Sequence, residues 1–268
     1  MKMIVAFFLF LVAFPSFAET DQKTVDFLKK LDLYYYCPGR DGLKGFSCDL
    51  KITTSQIYKD CLFKLGCDAK VLAVIDGQTI QLTYSINGKR KFHILLPKKT
   101  ADPTFDKNVK EQLTNIAKNL EPVLETLDGD VFQPLYGPDD FKGNCTVTST
   151  ADGFLLRRIA PDGSILETTF GSKAKMTNLV GTKNGQTLLT FSLDYSWGAK
   201  GFMLNGYSAT MPSMNLIETD HFDYSQVGNY LLPVRIVKEM QMENMFQPGS
   251  KITFDASNFK LKESKKAK

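Results

Sequence analysis

The stretch Asp102–Asp128 constrains this chain more than any other. Its apolar residues Val109, Leu113, Ile116, Leu120, Val123 and Leu127 recur at steps of four and three, which puts one stripe along a helix. Lys107, Lys110, Glu111, Lys118 and Glu125 fall on the opposite, solvated side. Asp102-Pro103-Thr104 supplies start signals, and Asp106 suits the positive end of the helix dipole. Pro122 predicts a kink near the last turn. Nearly everything on both sides reads as strand. A lone amphipathic helix among strands has to bury its stripe against a sheet.

Before that helix, residues 20–35 read as a first helix, with Val25, Leu28, Leu31 and Tyr35 on one face. Leu43–Ile52 reads as a strand and Thr53–Leu65 as a short helix closed by Gly66. The apolar run Val71–Ile75, followed by Asp76-Gly77, reads as part of a strand series. In Gln78–Ile86, residues Ile80, Leu82, Tyr84 and Ile86 alternate with polar ones, the mark of a half-buried strand. Asn87-Gly88 is a hairpin turn signal, returning through Lys89–Leu96. After the central helix, turn signals recur at Asp152-Gly153, Pro161-Asp162-Gly163, Asn184-Gly185, Asn205-Gly206 (a turn or a bulge) and Gly228-Asn229. The final strand is read at Lys251–Asn258. The expected fold class is mainly β with a few helices (α+β). About eleven or twelve antiparallel strands form a meander too wide to stay flat, so it curls into a half-open barrel. No linker or repeat interrupts residues 19–259, which read as one domain, with residues 260–268 as a basic, disordered tail.

Residues 1–18 read as a signal peptide: Lys2, an apolar run Ile4–Phe14, and Ser16-Phe17-Ala18 as a small-x-small cleavage site. No cysteine follows Ala18, so a lipid anchor is not expected, and the mature chain is expected to be periplasmic. The net charge of +4 is dispersed in both signs and favours no nucleic acid. The five cysteines suit an exported, disulfide-bonded protein. Short separations favour Cys37–Cys48 and Cys61–Cys67, leaving Cys145 as a thiol. His93 and His221 are the only histidines. Alternation sets His221 and Asp223 on one face and Glu218 and Asp220 on the other, the pattern of a solvated polar edge. No nucleophile elbow, zinc-protease motif or phosphate-cradling glycine loop occurs. The expectation is therefore a non-enzymatic protein without metal or cofactor.

The run Tyr224-Ser-Gln-Val227-Gly228-Asn229-Tyr230-Leu-Leu232-Pro233-Val-Arg235-Ile236 carries an aromatic, a valine, a glycine turn, then Leu-Pro-x-Arg-Ile. It resembles the late-strand signature of outer-membrane lipoprotein-sorting proteins, the LolA/LolB-like superfamily of periplasmic lipoprotein carriers. The segment Tyr35-Tyr36 through Gly42-Leu43-Lys44-Gly45-Phe46 resembles the junction from helix to first strand in such proteins. Val227 stands where the family tends to have an acidic residue or Asn before the glycine.

The resemblance implies a half-open barrel covered by the N-terminal and central helices. It implies binding of lipoprotein acyl chains or another lipid in a concave apolar cavity, for delivery to the outer membrane. Partners would be membrane transport components, and the protein a monomer. Candidate lid residues are Val109, Leu113, Ile116 and Leu120; candidate sheet residues are Leu82, Tyr84, Phe191, Leu193, Leu232, Val234 and Ile236. The alternative is a sensing module of the same fold that binds lipoproteins or a protein without transporting them.

Overall fold

The computed structural model describes residues 22–86, 89–95, 100–136, 144–160 and 162–264. Residues 1–18, read above as a signal peptide, the turn expected at Asn87-Gly88, and Lys265–Lys268 lie outside the described residues. Four α-helices and twelve strands are present among them: α1 (Gln22–Asp32), β1 (Leu43–Thr54), α2 (Gln56–Lys64), α3 (Ala69–Ile75), β2 (Thr79–Ser85), β3 (Lys89–Ile94), α4 (Pro103–Leu127), β4 (Asn144–Thr150), β5 (Gly153–Ile159), β6 (Ile165–Phe170), β7 (Met176–Lys183), β8 (Gln186–Gly198), β9 (Gly201–Met211), β10 (Leu216–Val227), β11 (Tyr230–Met242) and β12 (Phe246–Glu263). The protein is mainly β, as its alternating pattern requires. The chain divides into two compact units.

The first unit holds the residues through Tyr36 and Pro134–Asn215. Strands β4 to β9 run in sequence order as an antiparallel meander. Asn184 and Gly185 both have positive φ, 51° and 76°, the backbone that a tight two-residue hairpin between β7 and β8 needs. Asn205 makes a bulge: the register shifts between Asp194–Gly206 and Tyr195–Leu204. Phe154 stacks on Phe170 at 4.5 Å, and Phe27 of α1 meets Phe154 edge-on at 4.9 Å. The Tyr35 hydroxyl donates to Ala174 O and accepts from Met176 N, both at 2.7 Å.

The second unit holds Cys37–Gln133 and the residues from Leu216 onward. Its strand order is β3-β2-β1-β12-β11-β10, antiparallel throughout. The β1–β12 pairing joins strands about 200 residues apart and cannot be seen in local periodicity. Gly228 opens the two-residue loop between β10 and β11 with φ +59°, and Val227 pairs with Tyr230 across it. A register shift beside Asp223–Tyr224 leaves Val234 as the extra residue of β11.

The structure departs from the expected elements and bridges in three places. Val71–Ile75 lies in α3: Asp68 caps that helix by accepting from Lys70 N at 2.7 Å, while Val71, Leu72 and Ile75 turn inward at helical spacing. An apolar run this short does not distinguish helix from strand by itself. The last strand continues through Glu263, so Lys260 and Lys262 belong to β12 and pair with Ser47 and Gly45 of β1.

No disulfide forms: all five cysteines are thiols. Cys37, Cys48, Cys61 and Cys145 are each packed as a small buried group, and Cys61 Sγ lies 3.5 Å from Ser250 Oγ rather than near Cys67. Burial, helped by Asp49, pushes the Cys48 thiol from 9.0 up to about 12. The folded state therefore holds this proton where the unfolded chain releases it. Cys48 contributes stability that is intact below about pH 9 and is lost as pH rises toward 12. Native protein at pH 8 is expected to resist alkylation at Cys48 and react there only after unfolding. Rapid labelling of native Cys48, read by peptide mass, would contradict this burial.

Candidate functional site

Helix α4 begins where the sequence says it should. The Asp102 side chain accepts from Thr104 N at 2.9 Å and Phe105 N at 3.2 Å, and Pro103 occupies the first turn. Asp106 accepts from Thr100. The helix runs through Pro122 to Leu127, and Thr126 Oγ1 donates to the Pro122 carbonyl at 3.2 Å. Val109, Leu113, Ile116, Leu120, Val123 and Leu127 are all 0–2% exposed, so the whole stripe is covered. Exposing six such side chains to water costs on the order of 10 kcal/mol.

The end of α4 widens into a single π-helical turn, Asp128–Phe132. This turn directs Asp128 into a polar clamp. The Tyr84 hydroxyl donates to Asp128 Oδ1, Arg90 Nη1 donates to Glu125 Oε1 at 2.9 Å, and Arg90 Nη2 stands 3.7 Å from Asp128 Oδ2. Two acidic groups at a helix C-terminus oppose its dipole, and Arg90 offsets them. Burial first, then the charge and hydrogen bond of Asp128, raise the Tyr84 hydroxyl well above its ordinary value, so it remains a donor; Arg90 opposes this in part. Phe132, Tyr84 and Phe46 form one aromatic group, with centroids 5.0–5.8 Å apart. Tyr58 of α2 bonds the Asn119 side chain at mid-helix and stacks on Phe246 at 5.6 Å. Polar anchors thus hold the middle and C-terminal parts of α4, while the capping residues at its N-terminus are exposed.

Of the candidate residues, Leu82, Tyr84, Val109, Leu113, Ile116, Leu120, Leu232 and Ile236 are all buried in the second unit. Val234 is only half-buried because it is the bulged residue. Phe191 and Leu193 are buried in β8 of the first unit. His93 and His221 are exposed.

One group departs from the expected polar edge. Glu218 and Asp220 are buried, and Lys238, 2% exposed, lies between them. Asp220 pairs directly with Lys238 across β10 and β11, with Nζ 3.8 Å from Oδ2, and Nζ also forms an ion pair with Glu218 Oε1. The sequence carries a signal for this. Lys238 is in phase with Ile236 and Met240, and Glu218 and Asp220 are in phase with Leu216 and Phe222. Alternation puts charges with apolar neighbours on the inner face, and cross-strand pairing makes that tolerable. Among the described residues no three His, Cys, Asp or Glu side chains gather as a metal site.

Comparison with known protein families, curated proteins and solved structures found no match for this chain.

Proposed function

We propose that this protein is a non-enzymatic carrier of apolar chains, the acyl groups of lipoproteins or other lipids. In this reading the strands curl into a half-open barrel. The ligand enters between α4 and the sheet of the second unit, against Leu82, Leu232 and Ile236 on one side and Val109, Leu113, Ile116 and Leu120 on the other. The observation that carries the reading is the stripe itself, a continuous apolar face from Val109 to Leu127, about five turns long. An acyl chain takes the place of side-chain contacts, at roughly 0.8 kcal/mol for each methylene it buries. The clamp at Tyr84, Arg90 and Asp128 holds the C-terminal end, so opening starts from the N-terminal end of α4.

The likeness to lipoprotein-sorting carriers in Tyr224–Ile236 supports the same reading. Together with the leader-like residues 1–18, it suggests delivery across the periplasm to the outer membrane. Amide exchange tests the moving part. Residues 104–116 are expected to exchange faster than β1 and β12, and to slow when a lysophospholipid or an acylated peptide is added. Protection equal to the strands, unchanged by either ligand, would make α4 a fixed core helix. Native mass spectrometry of the exported protein is expected to show retained lipid mass.

A further inference from the structure

We propose that the first unit carries a docking surface for an anionic lipid bilayer, centred on Leu33, Tyr34 and Trp197. These side chains are 67%, 50% and 63% exposed, although each is large and apolar or amphipathic. They come from two places in the chain. Leu33 and Tyr34 follow α1, and Trp197 stands at the end of β8, next to the hairpin into β9.

The structure holds them together. The Tyr34 and Trp197 ring centroids are 6.5 Å apart, and Trp197 packs edge-on against Phe202 at 4.8 Å. Phe202 N donates to Tyr34 O at 2.7 Å, and Tyr36 N donates to Phe202 O at 2.9 Å. Gly201 makes this approach possible: its φ is +108°, and a Cβ there would sit 2.4 Å from Tyr34 O. The exposed patch is thus backed by a hydrogen-bonded seam and a buried aromatic layer.

The charge around the patch selects the occupant. Lys29 and Lys30 form the last turn of α1, both exposed, and Leu33 N donates to Lys30 O. Lys200 sits in the β8–β9 turn, its Nζ 5.5 Å from the Tyr36 ring centroid. Of the nearby carboxylates, Asp32 is buried and accepts from Leu135 N, and Asp194 faces Lys175 at 3.9 Å. Trp and Tyr favour the boundary between headgroups and hydrocarbon, Leu favours the hydrocarbon, and lysines beside them favour anionic headgroups. An exposed apolar tip whose two carrying segments also bear Lys29, Lys30 and Lys200 fits a bilayer surface better than a neutral protein groove. The inference does not rest on acyl-chain binding, which was placed in the second unit.

Trp197 is the chain's only tryptophan, so tryptophan emission excited at the red edge, where the ten tyrosines do not absorb, reports on this surface alone. Vesicles of phosphatidylglycerol and phosphatidylethanolamine at low salt are expected to shift its emission to the blue and to co-sediment the protein. Phosphatidylcholine vesicles are expected to do neither, and salt of about 0.5 M is expected to release the protein, because surface attraction is screened. Leu33→Glu, at an exposed position, is expected to weaken vesicle binding about tenfold or more. A Lys30→Glu/Lys200→Glu pair is expected to abolish the preference for anionic lipid. An unshifted emission with no co-sedimentation overturns the proposal. So does equal binding to phosphatidylcholine. A concentration-dependent blue shift without vesicles, matched by a dimer in sedimentation velocity, would instead assign the patch to a second copy. A protein that binds vesicles but retains no lipid in native mass spectrometry would keep this surface and lose the carrier reading; the opposite result would do the reverse.

Discussion

Replacing Lys238 with methionine is expected to destabilise the protein by about 3–5 kcal/mol, the cost of removing one partner from a buried ion pair. The side chain is almost wholly buried, with Glu218 and Asp220 on either side of its ammonium group. Methionine matches its length and keeps its packing on the sheet, so the loss comes from two carboxylates left in an apolar layer. Glu218→Gln with Asp220→Asn in the Lys238→Met background is expected to recover more than half of that loss, because no charge then remains buried. The measurement is the urea midpoint of the three proteins at one pH. A single variant that shifts stability by less than about 1 kcal/mol would mean the group is hydrated in solution. The pairing also sets register. Asp220 lies opposite Lys238, and sliding β11 by one residue would turn the lysine outward and bring its apolar neighbours into water.

Leu120→Ala is the second large effect, expected to cost about 2–5 kcal/mol. Leu120 has no exposed surface and lies between the Asn119–Tyr58 contact and the Arg90 clamp, where the helix is least able to shift and fill the space. In the proposed carrier, an acyl ligand occupying the layer offsets part of this cost. A ligand at one hundred times its dissociation constant adds about 2.7 kcal/mol. Thermal melts of wild type and variant, with and without lysophospholipid, therefore read two things. The loss without ligand measures packing of the stripe, and the gain with ligand measures whether the layer opens. A variant as stable as wild type would contradict the packing described here.

The two effects differ in how visible they were. Every residue of the Leu120 stripe could be named from spacing alone, and the helix starts and ends within a residue of the signals at Asp102 and Asp128. The turn at Asn184-Gly185 was equally legible, because only certain residues accept its backbone angles. The Lys238 group was legible only in part. Alternation shows which face each residue takes, but not whether that face meets solvent or core, so Glu218 and Asp220 read as a wet edge. The reduced cysteines show the same limit. Cys37 and Cys48 are close in sequence, yet Cys37 Sγ points to the Phe132 carbonyl at 3.7 Å while Cys48 sits within β1. The Leu33, Tyr34 and Trp197 patch was not legible at all, since it needs two segments more than 160 residues apart to meet.

By itself the sequence determined the local elements: the period of α4, the alternation of the strands, and the tight turns between them. Each depends on interactions within a few residues, where backbone angles and side-chain direction decide the outcome. Only the tertiary structure decided that β1 pairs with β12, that a lysine and two carboxylates share the inside of a sheet, and that Asp128 closes onto Tyr84 and Arg90. These depend on contacts between distant residues, and there burial and pairing carry free energies that no local pattern encodes.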